Sequence, residues 1–193
     1  MTDPIPVPQS RDFGEFLIRR YFPGDGQALY EATEASRDHL YRWMPWAREK
    51  GSVAQSEAVV ERLVQSFEKG EDYTLGVWMG TRLVGGTGFH LRVGGPHTLN
   101  AEIGMWIHGE FASHGLGTRV LNAMLDWGFE DWGWERLVWK CDTENFASAR
   151  VAEKAGMLLE GTFRKDFVNT DGTRSDTFQF AILKEDWNQI RLS

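Results

Sequence analysis

The chain has 193 residues, of which 41% are hydrophobic and 25% are charged, a balance typical of a globular protein with a sizeable core. Its net charge of -7 argues against a nucleic-acid-binding surface, and no apolar run approaches the ~20 residues of a membrane-spanning helix. The single cysteine, Cys141, excludes an intramolecular disulfide and favours a reducing, cytoplasmic compartment.

The predicted elements follow a proline-rich stretch, residues 1–12, which we expect to be a flexible tail before one domain over residues 13–193. In the first part of this domain, the sequence predicts one short strand and three helices. In the third helix, apolar residues recur on one face at helical spacing and Gly70 ends the pattern. These elements are a strand at 16–19 and helices at 25–35, 36–43 and 55–69.

Strands dominate the middle of the chain, and strand–helix units follow. Gly80-Thr81 suits a tight turn between the first two strands, and Asp171-Gly172 is a hairpin signal near the end. The middle strands are predicted at 73–79, 82–90 and 99–107. The later elements are a helix at 117–129, a strand at 136–141, a helix at 145–155, and strands at 157–164 and 176–183.

This order predicts an α/β fold with a mixed sheet and helices on its faces. The strand–helix–strand connection from 99 to 141 is expected to be a right-handed crossover between two parallel strands. Open sheets of this kind bind ligands beyond the carboxyl ends of their strands. The stretch His108–Leu121 lies at such an end.

That stretch carries a glycine-rich joint between a strand and a helix. Gly115 and Gly117 leave the first amides of the helix accessible, and Ser113 or Thr118 can add a hydroxyl, so the joint suits a diphosphate. The joint lacks the lysine that the phosphate loop of a nucleoside-triphosphate-binding protein carries. It also lacks the glycine spacing of a dinucleotide-binding motif. An ordinary turn is the alternative interpretation of the same residues.

Several short segments of the chain recur in a fixed order and spacing in one enzyme family. They are Glu102-Ile103-Gly104-Met105-Trp106-Ile107, Gly115-Leu116-Gly117-Thr118, Asn145 with Ser148, Glu153-Lys154, Gly156-Met157, Glu160-Gly161, and Trp43-Met44-Pro45-Trp46. Taken together, they resemble the GNAT acetyltransferase superfamily, and among its members the RimJ/RimL type that acetylates the N-termini of ribosomal proteins. The resemblance covers about residue 16 to Trp187. The resemblance implies a mostly antiparallel sheet of about seven strands with a splayed parallel pair.

Two positions depart from the family pattern. Ala112 stands where the phosphate loop usually has glutamine or arginine, which removes one side-chain donor. Phe180 stands where the family often has tyrosine, which excludes a tyrosine general acid at that position. Both departures keep a non-catalytic acyl-CoA-binding domain open as an alternative.

The resemblance implies acetyl transfer from acetyl-CoA to a primary amine, with no metal. In this superfamily the cofactor lies between the two splayed strands, here about 101–107 and 136–141, and its diphosphate lies on the glycine joint. The residues expected to bind it are Met105, Trp106, Ile107, Ser113, His114, Gly115, Leu116, Gly117, Thr118, Asn145 and Ser148.

For the chemistry, the resemblance assigns Ser148 as the acid that protonates the leaving thiolate. Asn145 and Ser148 can instead serve as a helix cap and a small packing residue. Glu102 and Asp166 are the two candidates for the base, and a solvated hairpin charge is the alternative for Asp166. His90, His108 and His114 are weaker candidates, and their spacing does not indicate a metal site.

The acceptor is expected to contact Trp43, Trp46 and Glu102. The resemblance implies this because the segment with the two tryptophans forms a wall of the acceptor groove in this family. A protein N-terminal α-amine is the leading acceptor, and a polyamine, aminoglycoside or amino acid is the alternative. The expected partners include neither nucleic acid nor membrane. Dimers are common in the family, and the sequence leaves the oligomeric state open. Cys141 is interpreted as a buried residue or as a partner of free coenzyme A in a mixed disulfide.

Overall fold

Eight strands and six α-helices form within residues 7–92, 96–169 and 171–192, the parts of the chain that the computed structural model describes. The strands are β1 (Ser10–Asp12), β2 (Leu17–Arg20), β3 (Tyr73–Met79), β4 (Arg82–His90), β5 (Asn100–Ile107), β6 (Arg136–Asp142), β7 (Leu158–Val168) and β8 (Arg174–Leu183). The helices are α1 (Gly26–Ala35), α2 (Arg37–Leu40), α3 (Val53–Lys69), α4 (Leu116–Glu130), α5 (Phe146–Lys154) and α6 (Lys184–Leu192). Within these ranges, no helix has the length and apolarity that crossing a membrane requires.

The strands form one mixed sheet in the order β1-β2-β3-β4-β5-β6-β8-β7. Every neighbouring pair is antiparallel except β5 and β6, which run parallel. Their pairing covers only 100–102 against 136–138, although both strands continue beyond it. The predicted mixed, mostly antiparallel sheet with a splayed parallel pair is therefore confirmed.

Helices cover both faces of this sheet. On one face, α4 and α5 pack onto a core that includes Leu121, Trp127 and Leu137. On the other face, α1 and α3 close a smaller cluster around Val60 and Trp78. Alternation along β5 separates the two layers, since Met105 and Ile107 join the first cluster and Trp106 joins the second.

Local signals explain where the longest helix begins and ends. Ser52 caps α3 by accepting a hydrogen bond of 3.2 Å from the amide of Gln55. Gly70 ends the helix at φ +67°, a left-handed conformation that suits glycine. The structure therefore starts this helix two residues before the predicted Gln55 and ends it at the predicted Lys69.

Three elements differ from the sequence-based expectation. Ser10–Asp12, assigned to the N-terminal tail, form the edge strand β1, while residues 1–6 lie outside the described chain. The second helix is a single turn, α2, and a 3-10 turn follows at Pro45–Ala47. An additional helix, α6, ends the described chain and is held by Trp187, which is buried and donates to Asp126 at 3.1 Å.

Leu121 offers a direct test of the α4 layer because its side chain is fully buried in the larger core. We expect Leu121→Ala to lower the free energy of unfolding by about 2–5 kcal/mol, through lost burial and the cavity left behind. Arg119→Ala on the same helix removes an exposed ion pair with Glu15 and an exposed hydrogen bond to the carbonyl of His114, and it should cost less than Leu121→Ala, about 1 kcal/mol. Urea denaturation of both variants measures the difference, and equal losses would contradict this assignment of the core.

Candidate functional site

A gap opens in the sheet where β5 and β6 stop pairing. Beyond Glu102, β5 remains bonded to β4 on one side, from 103 to 107, but pairs with no strand on the other side. The exposed edge offers backbone amides and carbonyls to an extended ligand, as a sheet edge does to an added strand. The gap belongs to a cleft of about 1330 Å³ that both strands, α5 and the 36–51 segment line.

The glycine joint closes one end of this cleft. Gly115 is the N-cap of α4 at φ +79°, and among the described residues no side chain forms a capping hydrogen bond there. The first amides of α4 therefore remain free for a ligand, and the positive end of the helix dipole lies beside them. Ser113, Gly115, Gly117 and Thr118 all line the cleft, as predicted for a phosphate-binding loop.

Contacts outside the cleft hold the joint in place. Arg119 donates to the carbonyl of His114 at 3.1 Å and pairs with Glu15 at 2.8 and 2.9 Å. The side chain of His114 is exposed and does not line the cleft. Leu116 is buried in the core at 1% exposure, so its backbone alone is available to a ligand. The predicted cofactor-binding roles of these two residues therefore stay predictions that involve their backbone groups.

The middle of β5 presents different residues to its two faces. The side chains of Met105 and Ile107 lie towards α4, at 3.6 and 3.8 Å from the position that a Cβ of Gly117 would take. Trp106 lies on the opposite face, where its ring meets that of Trp46 edge-on at 5.8 Å between centroids. All three residues line the cleft, so the structure places the predicted β5 residues around one site.

Ser148 lies at the start of α5 in a small hydrogen-bonded group. Asn145 caps this helix by accepting from the amide of Ser148 at 3.1 Å, so the predicted capping role is present. The indole of Trp139 donates to the Ser148 hydroxyl oxygen at 3.0 Å, which leaves the hydroxyl proton available for another acceptor. Ser148 also hydrogen-bonds the thiol of Cys141.

Glu102 stands at the point where the two strands separate. Its side chain is 9% exposed, accepts a hydrogen bond from Arg92, and lies 3.7 Å from the ammonium of Lys140. Each carboxylate oxygen therefore faces a cation. An amine could reach this carboxylate only by displacing Arg92 or Lys140 from its oxygens.

The remaining predicted residues surround the mouth of the cleft. Asp166 is exposed on β7, where pairing with β8 is interrupted between Phe163 and Phe167. Trp46 is 48% exposed, and Trp43 is half-buried beneath the guanidinium of Arg42 at 4.5 Å. Asp166, Trp43 and Trp46 all line the cleft and are open to solvent from one side.

His90, one of the weaker candidates from sequence, also lines the cleft and pairs with Asp72 behind it. Nδ1 of His90 lies 2.9 and 3.0 Å from the two oxygens of Asp72. Burial raises the pKa of Asp72. The hydrogen bond and charge of His90, with smaller contributions from Thr74 and Arg92, lower it by more, so the pKa of Asp72 lies below its usual range. The sequence indicates only that the two residues lie at the same end of a hairpin. His90 is the last residue of β4, and Asp72 directly precedes β3, the strand that pairs with β4.

The other titratable groups do not indicate a metal site. Within the described residues, no three histidine, cysteine or carboxylate side chains are grouped so that they could hold a metal ion. Burial lowers the pKa of His108, with a further contribution from Arg82, and His108 accepts from the amide of Glu110 at 3.1 Å. Its role in this geometry is to terminate β5.

Comparison with known proteins identifies the family to which this geometry belongs. A family described as Acetyltransferase (GNAT) domain matches residues 15–158. The uncharacterized N-acetyltransferase YnaD of Bacillus subtilis is 28% identical over 172 residues, which cover 89% of this chain and 95% of that protein. The ribosomal-protein-serine acetyltransferase of Escherichia coli is 24% identical over 170 residues, 88% of this chain and 91% of that protein.

Solved structures show the same fold. RimL, described as a ribosomal L7/L12 alpha-N-protein acetyltransferase in complex with coenzyme A, superposes with a TM-score of 0.79 at 21% identity. The superposition covers 93% of this chain and 97% of RimL. The relatives support the RimJ/RimL-like resemblance that the sequence motifs indicated.

Cys141 provides a test of the interior of the cleft. Burial raises the pKa of its thiol more than the hydrogen bond with Ser148 lowers it, so the thiolate fraction at neutral pH is small. We expect iodoacetamide to alkylate Cys141 about tenfold more slowly in the folded protein than in urea, measured by mass spectrometry. A cysteine peptide at the same urea concentrations controls for solvent effects, and equal rates would show an accessible, unperturbed thiol.

Proposed function

Since the chain belongs to the GNAT acetyltransferase family, we propose that this acetyl-CoA-dependent enzyme acetylates the N-terminal α-amine of a protein. The observation that carries the proposal is the gap between β5 and β6 with the uncapped start of α4 at its end. An extended arm and a diphosphate need these two features, a free strand edge and a helix N-terminus.

The residues present fit coenzyme A. The free edge of β5 suits its amide-bearing arm, and the amides of 113–118 suit its diphosphate. No side chain is needed at the Ala112 position for this set of backbone donors. When bound, acetyl-CoA supplies an acetyl group activated as a thioester.

Ser148 fits the role of proton donor to the leaving sulfur. The Trp139 indole donates to its oxygen, so the hydroxyl can donate its own proton to a sulfur acceptor. In the absence of coenzyme A its sulfur partner is the thiol of Cys141. Asn145 fixes the helix start from which Ser148 projects. Among the predicted bases, Glu102 is held by two cations and Asp166 is exposed, so Glu102 fits better as a residue that positions Arg92 and Lys140.

The features on the acceptor side of the cleft favour a peptide as the acceptor. Trp43 and Trp46 present aromatic surface beside Glu102 at an open mouth, where the first residues of a chain can lie while the rest remains outside. A similar protein is named for acetylating a ribosomal-protein serine. The single, buried cysteine supports a cytoplasmic location, and the apolar, exposed edge strand β7 supports a homodimer.

The acceptor is tested by thiol release from acetyl-CoA with a panel of amines. We expect peptides that begin with serine or alanine to release thiol at least about tenfold faster than spermidine, an aminoglycoside or free amino acids. The same peptides with a blocked N-terminus are the control and should release none. Faster turnover of a small amine would replace the protein acceptor, and no release with any amine would contradict the proposed function.

Thr118 tests the phosphate-binding role of the α4 terminus. Thr118→Glu adds a carboxylate to the first turn, which favours the helix but repels a diphosphate. We expect its affinity for coenzyme A, measured by calorimetry, to fall by about tenfold or more relative to Thr118→Gln. The glutamine variant has almost the same shape without the charge, so equal affinities of the two variants would place the diphosphate elsewhere.

Ser148 tests the assignment of the acid. Ser148→Ala should leave the affinity for coenzyme A nearly unchanged and lower kcat by about 10²-fold, because the leaving sulfur loses its proton donor. Ser148→Thr retains the hydroxyl and should recover part of the rate. Unchanged turnover in the alanine variant would remove Ser148 from the reaction.

A further inference from the structure

We propose that His90 is the general base that deprotonates the acceptor amine, and that Asp72 positions its ring. This inference rests on the proposed function, because it names the base of that same site. The lone pair of His90 Nε2 takes one proton from the amine nitrogen, which forms the new bond to the acetyl carbon. The carbon–sulfur bond breaks, and the sulfur leaves as a thiol with a proton from Ser148. Water at the open cleft then returns a proton to the Ser148 oxygen and takes the proton from His90 Nε2, so both residues recover their starting forms.

The hydrogen bonds of the pair fix which nitrogen carries the proton. An ionised carboxylate can only accept hydrogen bonds, so Nδ1 of His90 must donate to Asp72. In the neutral ring, Nε2 is then left with its lone pair. Asp72 also accepts from the hydroxyl of Thr74 at 2.9 Å, which holds the carboxylate in place. The arrangement is that of a base with its orienting group.

The position of Nε2 places it at the gap in the sheet. A Cβ at Gly104 would lie 2.7 Å from Nε2, so the ring lies directly over this glycine of β5. Gly104 is two residues beyond the point at which β5 and β6 separate. His90 lies opposite Glu102 in the β4–β5 register, on the same sheet face as Trp106 and Trp46. Among the described residues, none forms a hydrogen bond with Nε2.

Charged side chains of both signs surround His90. Asp72 contacts the ring directly, and Glu102 lies across from it with its own charge balanced by Arg92 and Lys140. The side chain of His90 is 15% exposed, against 9% for the ion-paired Glu102. His90 therefore combines access to the cleft with a vacant acceptor atom, which the ion-paired Glu102 does not. Unlike the exposed Asp166, His90 is also oriented by a hydrogen-bonded partner, Asp72.

A purely structural role for the pair is the competing explanation, in which it ties the end of β4 to the turn before β3. His90→Asn separates the two roles, because the asparagine amide can still donate to Asp72 from near the Nδ1 position while no group replaces Nε2. His97→Asn is the matched control, since His97 is exposed and receives the same substitution.

The experiment measures kcat and kcat/KM against pH for thiol release with the best amine of the panel. We expect His90→Asn to lower kcat by about 10²-fold or more and to abolish the acidic limb of the profile, with an unchanged melting temperature and coenzyme A affinity. In Asp72→Asn the acidic limb should move to lower pH, since the protonated ring loses the negative charge that stabilises it. His97→Asn should match the unmodified protein.

A second measurement needs no turnover. Long-range ¹H–¹⁵N correlation spectra of the unmodified protein should show the neutral His90 ring protonated at Nδ1 and unprotonated at Nε2. The His90 signals are assigned by elimination, from single asparagine variants of the other four histidines of the chain. The opposite tautomer would overturn the inference even if His90→Asn fails to fold.

The outcomes separate this inference from the proposed function. Turnover by the unmodified protein with an unaltered rate and pH profile in His90→Asn would overturn the base assignment and leave the function intact. No turnover by the unmodified protein with any amine would contradict both.

Discussion

The early end of the β5–β6 pairing at Glu102 and Val138 is the constraint on which the site depends. Two parallel strands that continued to pair would satisfy each other's backbone groups and leave no edge for a ligand. The separation instead leaves 103–107 bonded on one side only. Because α4 connects the same two strands, its first turn must lie near the carboxyl end of β5, at one end of the gap. A strand edge and a helix terminus therefore meet at one place.

Most of the fold could be predicted from the sequence because its signals are local. Apolar spacing and Gly70 located α3, and alternation around Gly80-Thr81 located the β3–β4 hairpin. Elements that depend on distant partners were missed. The strand Ser10–Asp12 exists through its pairing with β2, and α6 through burial of Trp187 and its bond to Asp126. Neither segment carries a strong pattern of its own.

In the candidate site too, some residues could be predicted from local sequence patterns and others could not. The glycine joint and the serine on α5 could be found because consecutive residues carry the pattern. The pairing of Asp72 with His90 could not, because it depends on a bulge. In the hairpin, Met79 pairs with Arg82 and Trp78 with Leu83, but Val77 pairs with Gly85, so Val84 is an extra residue. This shift of one residue aligns His90 with Asp72 instead of Phe89, and periodicity alone does not reveal it.

The gap also explains how an acid and a base from different layers can act on one molecule. Ser148 projects from α5, which packs with α4 on one face of the sheet, whereas His90 shares the other face with Trp106 and the α1–α3 layer. In a continuous sheet, the backbone of the strands would separate such side chains. Where β5 and β6 diverge, no backbone hydrogen bonds bridge them, and both side chains line the same cleft. In the proposed reaction, a thioester held along the β5 edge receives the amine from the face that carries His90 and Trp106, and releases its sulfur towards α5. The two proton transfers then occur on opposite faces of the sheet.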